Sequence, residues 1–121
     1  RGEMEALNPE QKQLSLNLKE HVEVLAKKIG ARNLPQAQGK LELAAMYIEG
    51  SFKKAGLAPE RQSFGVSGYF DDGLWGFTHA TQGTANIIAE IPAKEGSAIT
   101  SEILVVGAHY DTAKKCPGAN D

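Results

Sequence analysis

The residues Ile103-Leu104-Val105-Val106-Gly107-Ala108 form an unbroken apolar run. Apolar residues without alternation over this length predict a strand buried on both faces, as in the middle of a parallel α/β sheet. In such sheets, ligands and metals collect at the carboxyl ends of the strands. Here the run delivers His109-Tyr110-Asp111, and a polar loop then leads to Gly118-Ala119-Asn120-Asp121. An imidazole and two carboxylates therefore stand where this fold class places a site.

Upstream the pattern is helical. Asn8-Pro9-Glu10-Gln11 reads as a helix start, with Asn8 as cap, Pro9 in the first turn and Gln11 reaching back as in a capping box. Leu14, Leu18, Val22, Leu25 and Ile29 then recur at three- and four-residue steps and predict one apolar stripe, closed by Gly30 as a left-handed cap. A second helix is expected from about Gln38 to Ala55. Leu41, Ala44, Ala45, Ile48, Phe52 and Ala55 line one face, with Gly56-Leu57 as a Schellman stop and Gly50 as a point where a bend is allowed.

After Pro59 the period changes to two. Gln62, Phe64 and Val66 fall on one side of a short strand, and Arg61, Ser63 and Gly65 on the other. Ser67 to Gly83 has no clear period, and its glycines, Asp71-Asp72 and the aromatics Tyr69, Phe70, Trp75 and Phe77 predict a hairpin or a long surface loop. Thr84 to Ile91 reads as a strand that Pro92 ends. A short connection then favours antiparallel pairing of that strand with the apolar run, at the start of a mixed sheet. The expected class is α/β, with N-terminal helices followed by a mixed β-sheet.

Length and composition narrow the function. The chain has 121 residues, the size of one domain, with 41% apolar and 23% charged residues. A formal charge of −2 gives no electrostatic case for nucleic acid or an anionic membrane. No apolar stretch approaches the ~20 residues that cross a bilayer. Arg1 to Glu5 lacks the apolar core of a signal peptide; a start at Arg1 with Met4 inside leads to the expectation of a processed or cloned N-terminus. The single Cys116 excludes an internal disulfide.

His109 and Asp111 are two residues apart, so in extended geometry both side chains leave one face. That spacing suits a metal-binding imidazole whose tautomer is fixed by a carboxylate. A lone histidine after a strand is more often packed or hydrogen-bonded than a ligand, and a catalytic zinc normally takes three protein ligands. Asp121, ten residues beyond Asp111, is placed to fold back over the Pro117-Gly118 turn and offer a metal oxygen. Elsewhere the plainer readings are preferred. His21 is a boundary or core residue, His79 belongs to a solvated loop, Cys116 is a free thiol, and Arg32-Asn33 orders its loop through hydrogen bonds. The aromatics at 69–77 plug a sheet edge or meet a partner.

Several segments, in order, resemble the amino-terminal part of the co-catalytic dizinc aminopeptidase family. They are His21-Val22 with Ile29-Gly30-Ala31-Arg32-Asn33, then Ala45-Met46-Tyr47-Ile48 through Ala55-Gly56-Leu57. Thr84 to Pro92, Val105 to Thr112 and Pro117 to Asp121 follow. The pair GAHYDT and PGAND carries most of the specificity. The resemblance implies a partial zinc-aminopeptidase (phosphorylase/hydrolase-like) fold, with residues 1–121 as the N-terminal portion of a larger zinc peptidase domain, cut at the bridging aspartate. It implies His109 as ligand to one zinc, Asp111 as the carboxylate that orients it, and Asp121 as the bridge between two zincs. It further implies hydrolysis of N-terminal peptide bonds by a metal-activated water, with a peptide bearing a free N-terminus as substrate and export to the periplasm or medium.

The family's general-base glutamate and remaining ligands fall beyond Asp121, so the chain alone is expected to be inactive and to bind zinc weakly at most. A glutaminyl-cyclase-like acyltransferase and a noncatalytic binding or scaffold relative are the alternatives. An unpaired Ile103–Ala108 strand would also favour self-association through its edge.

Overall fold

The computed structural model describes residues 6–71, 76–93 and 102–118. Helix α1 spans Pro9–Glu23, and a π-helical segment, Val24–Ile29, continues it. Helix α2 spans Gln38–Lys54, and strands β1 (Glu60–Asp71) and β2 (Phe77–Ile88) follow. Helices precede the sheet, as expected from the sequence.

Local chemistry explains both helix ends. Asn8 Oδ1 accepts from Gln11 N at 2.8 Å, and Gln11 Oε1 accepts from Asn8 N at 2.9 Å, the reciprocal capping box. At the far end of α2, Gly56 takes φ 81°, its N–H bonds Lys53 O at 3.0 Å, and Leu57 N–H bonds Phe52 O at 3.0 Å. That is the Schellman pattern, which Gly56 adopts without the Cβ penalty of a left-handed residue. The helix runs unbroken through Gly50. Gly30, at φ 77° and ψ −151°, ends the π segment by donating to Leu25 O five residues back. Its φ is positive as expected, but its ψ is not that of the left-handed helix.

The apolar stripe of the first helix is not covered. Leu14, Leu18 and Val22 remain 57%, 56% and 48% exposed, because α1 packs mainly along the π segment that extends it. The π segment, with its longer i→i+5 hydrogen bonds, carries Leu25 and Ile29, and both are half-buried. It is this segment that packs against α2. The core among the described residues is small: Leu41, Ala44 and Ala45 of α2 against Ala85 of β2. His21, expected at the boundary or in the core, is exposed, and its Nδ1 lies 2.7 Å from Tyr47 Oη.

β1 and β2 pair antiparallel from Glu60↔Ile88 to Asp71↔Phe77. The hairpin expected as one option for the glycine-rich stretch is real, and it absorbs most of that stretch into two long arms. Arg61, Ser63 and Gly65 share a face with Ile87, Ala85 and Gly83; α2 packs on the β2 side of it and buries Ala85, while Arg61, Ser63 and Gly65 stay exposed. Phe64, Val66 and Ile88 lie on the other face, 45%, 37% and 48% exposed. The alternation expected for β1 holds. The strand expected over Thr84–Ile91 instead ends at Ile88, and Ile91 is 78% exposed.

Arg61 ties the hairpin to α2. Its Nε and Nη2 donate to the Glu49 carboxylate at 2.6 and 2.9 Å, and Nη1 donates to Glu42 at 2.7 Å. The Arg61 hydrogen bond holds the Glu49 carboxyl below the ordinary glutamate range, and the same contact raises the Arg61 guanidinium. A depressed carboxylate adds stability above its unfolded pKa and loses it as pH falls through the folded value. Glu49→Gln should therefore flatten the acid limb of a pH series of melting temperatures below the ordinary glutamate pKa. An unchanged limb would show that the pair contributes nothing.

The apolar run corrects the expected sheet. Ile103, Leu104, Val105 and Val106 are 89%, 89%, 84% and 88% exposed, and the run is in neither helix nor strand. A strand buried on both faces needs a neighbour on each edge. The hairpin pairs with itself, and the sheet among the described residues is two-stranded. The total accessible surface is 10041 Å². A compact monomer of 13.0 kDa exposes roughly 6,300 Å².

Candidate metal centre

Beyond the apolar run, the strip His109 to Thr112 is held against the end of the π segment. Thr112 N donates to Arg32 O at 2.8 Å, and Arg32 N donates to Thr112 Oγ1 at 3.0 Å. Tyr110 Oη donates to Ala85 O at 2.5 Å, joining the strip to β2. The Arg32 guanidinium donates from Nε to Tyr110 O at 2.5 Å. From Nη1 it donates to Leu25 O, Gly30 O and Pro117 O at 3.0, 3.1 and 3.1 Å. Arg32 and Thr112 are 4% and 5% exposed. Arg32 thus orders its loop through hydrogen bonds, as its position after the first helix predicted.

This anchoring produces an alternation. Tyr110 and Thr112 turn inward, while the side chains of His109 and Asp111 are each 62% exposed. The two side chains leave together, as their spacing predicted, although the strip is not paired as a strand. His109 Nδ1 lies 3.1 Å from Asp111 Oδ1 and 3.0 Å from Asp111 O. Both partners are acceptors only, so Nδ1 must carry the proton, and the neutral ring presents its lone pair at Nε2. No described residue occupies Nε2.

That donor chemistry fits one imidazole ligand with a carboxylate behind it. It does not by itself fill a coordination sphere: among the described residues no three His, Cys, Asp or Glu side chains come together as a metal-binding group. Asp121 lies outside the described residues, as do Asp72 and Trp75. Cys116 is a half-buried free thiol in the turn closed by Cys116 N donating to Ala113 O at 3.0 Å. His79 sits across β1–β2 from Tyr69, ring centroids 5.1 Å apart and edge-on, in an exposed part of the hairpin.

An open groove of about 720 Å³ lies between α2 and the hairpin, with Leu41, Arg61, Phe64, Thr84 and Tyr110 in its wall. His109 and Asp111 do not line it. Tyr110 is the shared wall, one side chain away from the candidate corner. Sequence reasoning did not identify Tyr110 and Thr112 as anchors. The signal was the alternation His-Tyr-Asp-Thr itself, whose second and fourth members face the protein. Comparisons with protein-family models, curated proteins and solved structures returned no match.

Proposed function

We propose that this chain carries the opening corner of a zinc-dependent aminopeptidase site, with His109 Nε2 as a metal ligand and Asp111 as the carboxylate that fixes its ring. The observation that supports this reading is the Nδ1 contact to two acceptor atoms of Asp111, which leaves Nε2 as the basic nitrogen. Asp121 enters by resemblance alone, as the bridge between two zincs. Zinc bound there would polarise a peptide carbonyl and lower the pKa of water. This chain's own residues would hold and orient: His109 by its free nitrogen, Asp111 by keeping the proton on Nδ1. The substrate class is a peptide with a free N-terminus.

Among the described residues no three metal-binding side chains come together, and the expected activity of the chain on its own is nil. Incubated with zinc and aminoacyl-p-nitroanilides, it should show no metal-dependent release of nitroaniline; turnover would overturn the assignment of an incomplete site. Nitrogen-15 spectra of the imidazoles, recorded during a zinc titration, test the ligand itself. His109 should be the Nδ1–H tautomer, zinc should shift its Nε2, and His109→Ala should abolish the response. A ring protonated at Nε2 would sink the ligand assignment.

A second reading concerns partners. The exposure of Ile103–Val106 supports association with another copy, since four consecutive apolar side chains stand in solvent. Light scattering at rising concentration should show self-association that Val105→Lys suppresses. A monomer at every concentration removes this reading.

A further inference from the structure

We propose that Arg32 is a positioning residue for the His109–Asp111 corner, an inference that rests on the metal reading for its purpose and not for its geometry. The guanidinium joins three places in the chain. Two carbonyls belong to the end of the first helical stretch, Leu25 O and Gly30 O; one is Tyr110 O, between His109 and Asp111; the last is Pro117 O, on the returning loop. The planar fork reaches this set through its Nε–H and the two Nη1–H groups, one of them shared between two carbonyls, whereas a lysine ammonium acts as a point donor. Carbonyls at the end of a helical segment also carry the negative end of its dipole, which favours a cation there.

The location of Tyr110 O gives the clamp its effect. Holding the peptide between His109 and Asp111 sets the pitch of the strip. Thr112, exchanging hydrogen bonds with the Arg32 backbone, fixes the next residue but one. With Tyr110 and Thr112 held inward, His109 and Asp111 must face outward together, Nδ1 at 3.1 Å from the carboxylate. Arg32 touches neither side chain among these contacts. It acts through the backbone they hang from.

Arg32→Gln and Arg32→Lys in the full chain test this, with three readouts: the His109 ring signals, amide exchange at Thr112, and Co²⁺ binding followed by its visible spectrum. Arg32→Gln should erase the Nδ1–H signal of His109 and the protection of Thr112. Amides of Leu41, Ala44 and Ala45, which lie outside the clamp, should stay protected. Co²⁺ affinity should fall about 10- to 100-fold, the usual effect of losing support behind a ligand. Arg32→Lys should recover part of the His109 signal.

Unchanged ring signals in Arg32→Gln would overturn the proposal. Equal loss of protection across α2 in both variants would also overturn it, by making Arg32 a general element of the fold. If wild-type chain fails to bind Co²⁺, the metal reading falls while the ring signals still decide the positioning role.

Discussion

Leu41→Ala should destabilise the chain by about 2–3 kcal/mol, more than any other truncation on α2 or the hairpin. Leu41 is 5% exposed, and its companions Ala44, Ala45 and Ala85 have little side chain to lose. Removing the isopropyl group beyond its Cβ takes away most of the apolar volume between α2 and β2. Leucine-to-alanine changes in cores cost about 2–5 kcal/mol, depending on how far the site collapses or fills. Leu41 also lines the open groove, where water can reach part of the vacated space, and this favours the lower half of the range. A loss of that size should lower the melting temperature by roughly 8–15 °C for a chain of this length. Leu18→Ala is the control: at 56% exposure on α1 it should change stability by less than ~0.5 kcal/mol. Urea unfolding of both variants decides the matter, and equal midpoints would show that α2 does not hold the core.

The same contrast explains what could be read in advance. Asn8 with Gln11, and Gly56 with Leu57, were legible because each determinant and its partner lie within a few residues. The β1 alternation was legible because it lies in consecutive residues of one strand. Periodicity on α1 located an apolar stripe but not whether anything would cover it, since coverage is decided by other parts of the chain. The apolar run at 103–108 failed for the same reason. Its pattern states what the segment needs, and the described fold does not supply it.

The hairpin arms were obscure for a different reason. Register there is carried by pairs such as Gly65↔Gly83 and Gly68↔Ala80, which leave no hydrophobic period to detect. In the candidate site, His109 and Asp111 were found from spacing two apart. The contacts that hold them span the chain, with Arg32 and Tyr110 separated by 78 residues, a distance over which no sequence spacing is informative.

Gly118→Ala should release that held strip while leaving the helices and hairpin intact. Gly118 adopts φ 65°, the left-handed region in which a residue with Cβ costs about 1–2 kcal/mol. An alanine Cβ at this position would overlap the Thr112 Cγ2 methyl and come within 3.5 Å of Arg32 Nη2. Thr112 cannot turn aside without cost, because Arg32 N donates to its Oγ1 at 3.0 Å. Overpacking a fixed neighbour typically adds about 1–3 kcal/mol to the backbone cost. The least costly response is for the Pro117-Gly118 turn to lift away, taking the Pro117 O contact with it. Thr112 should then lose amide protection at least tenfold, and the His109 Nδ1–H signal should weaken, with Leu41 protection unchanged. Protection of Thr112 equal to wild type would mean that the turn absorbs a methyl group, and that the strip is held by Tyr110 and Arg32 without it.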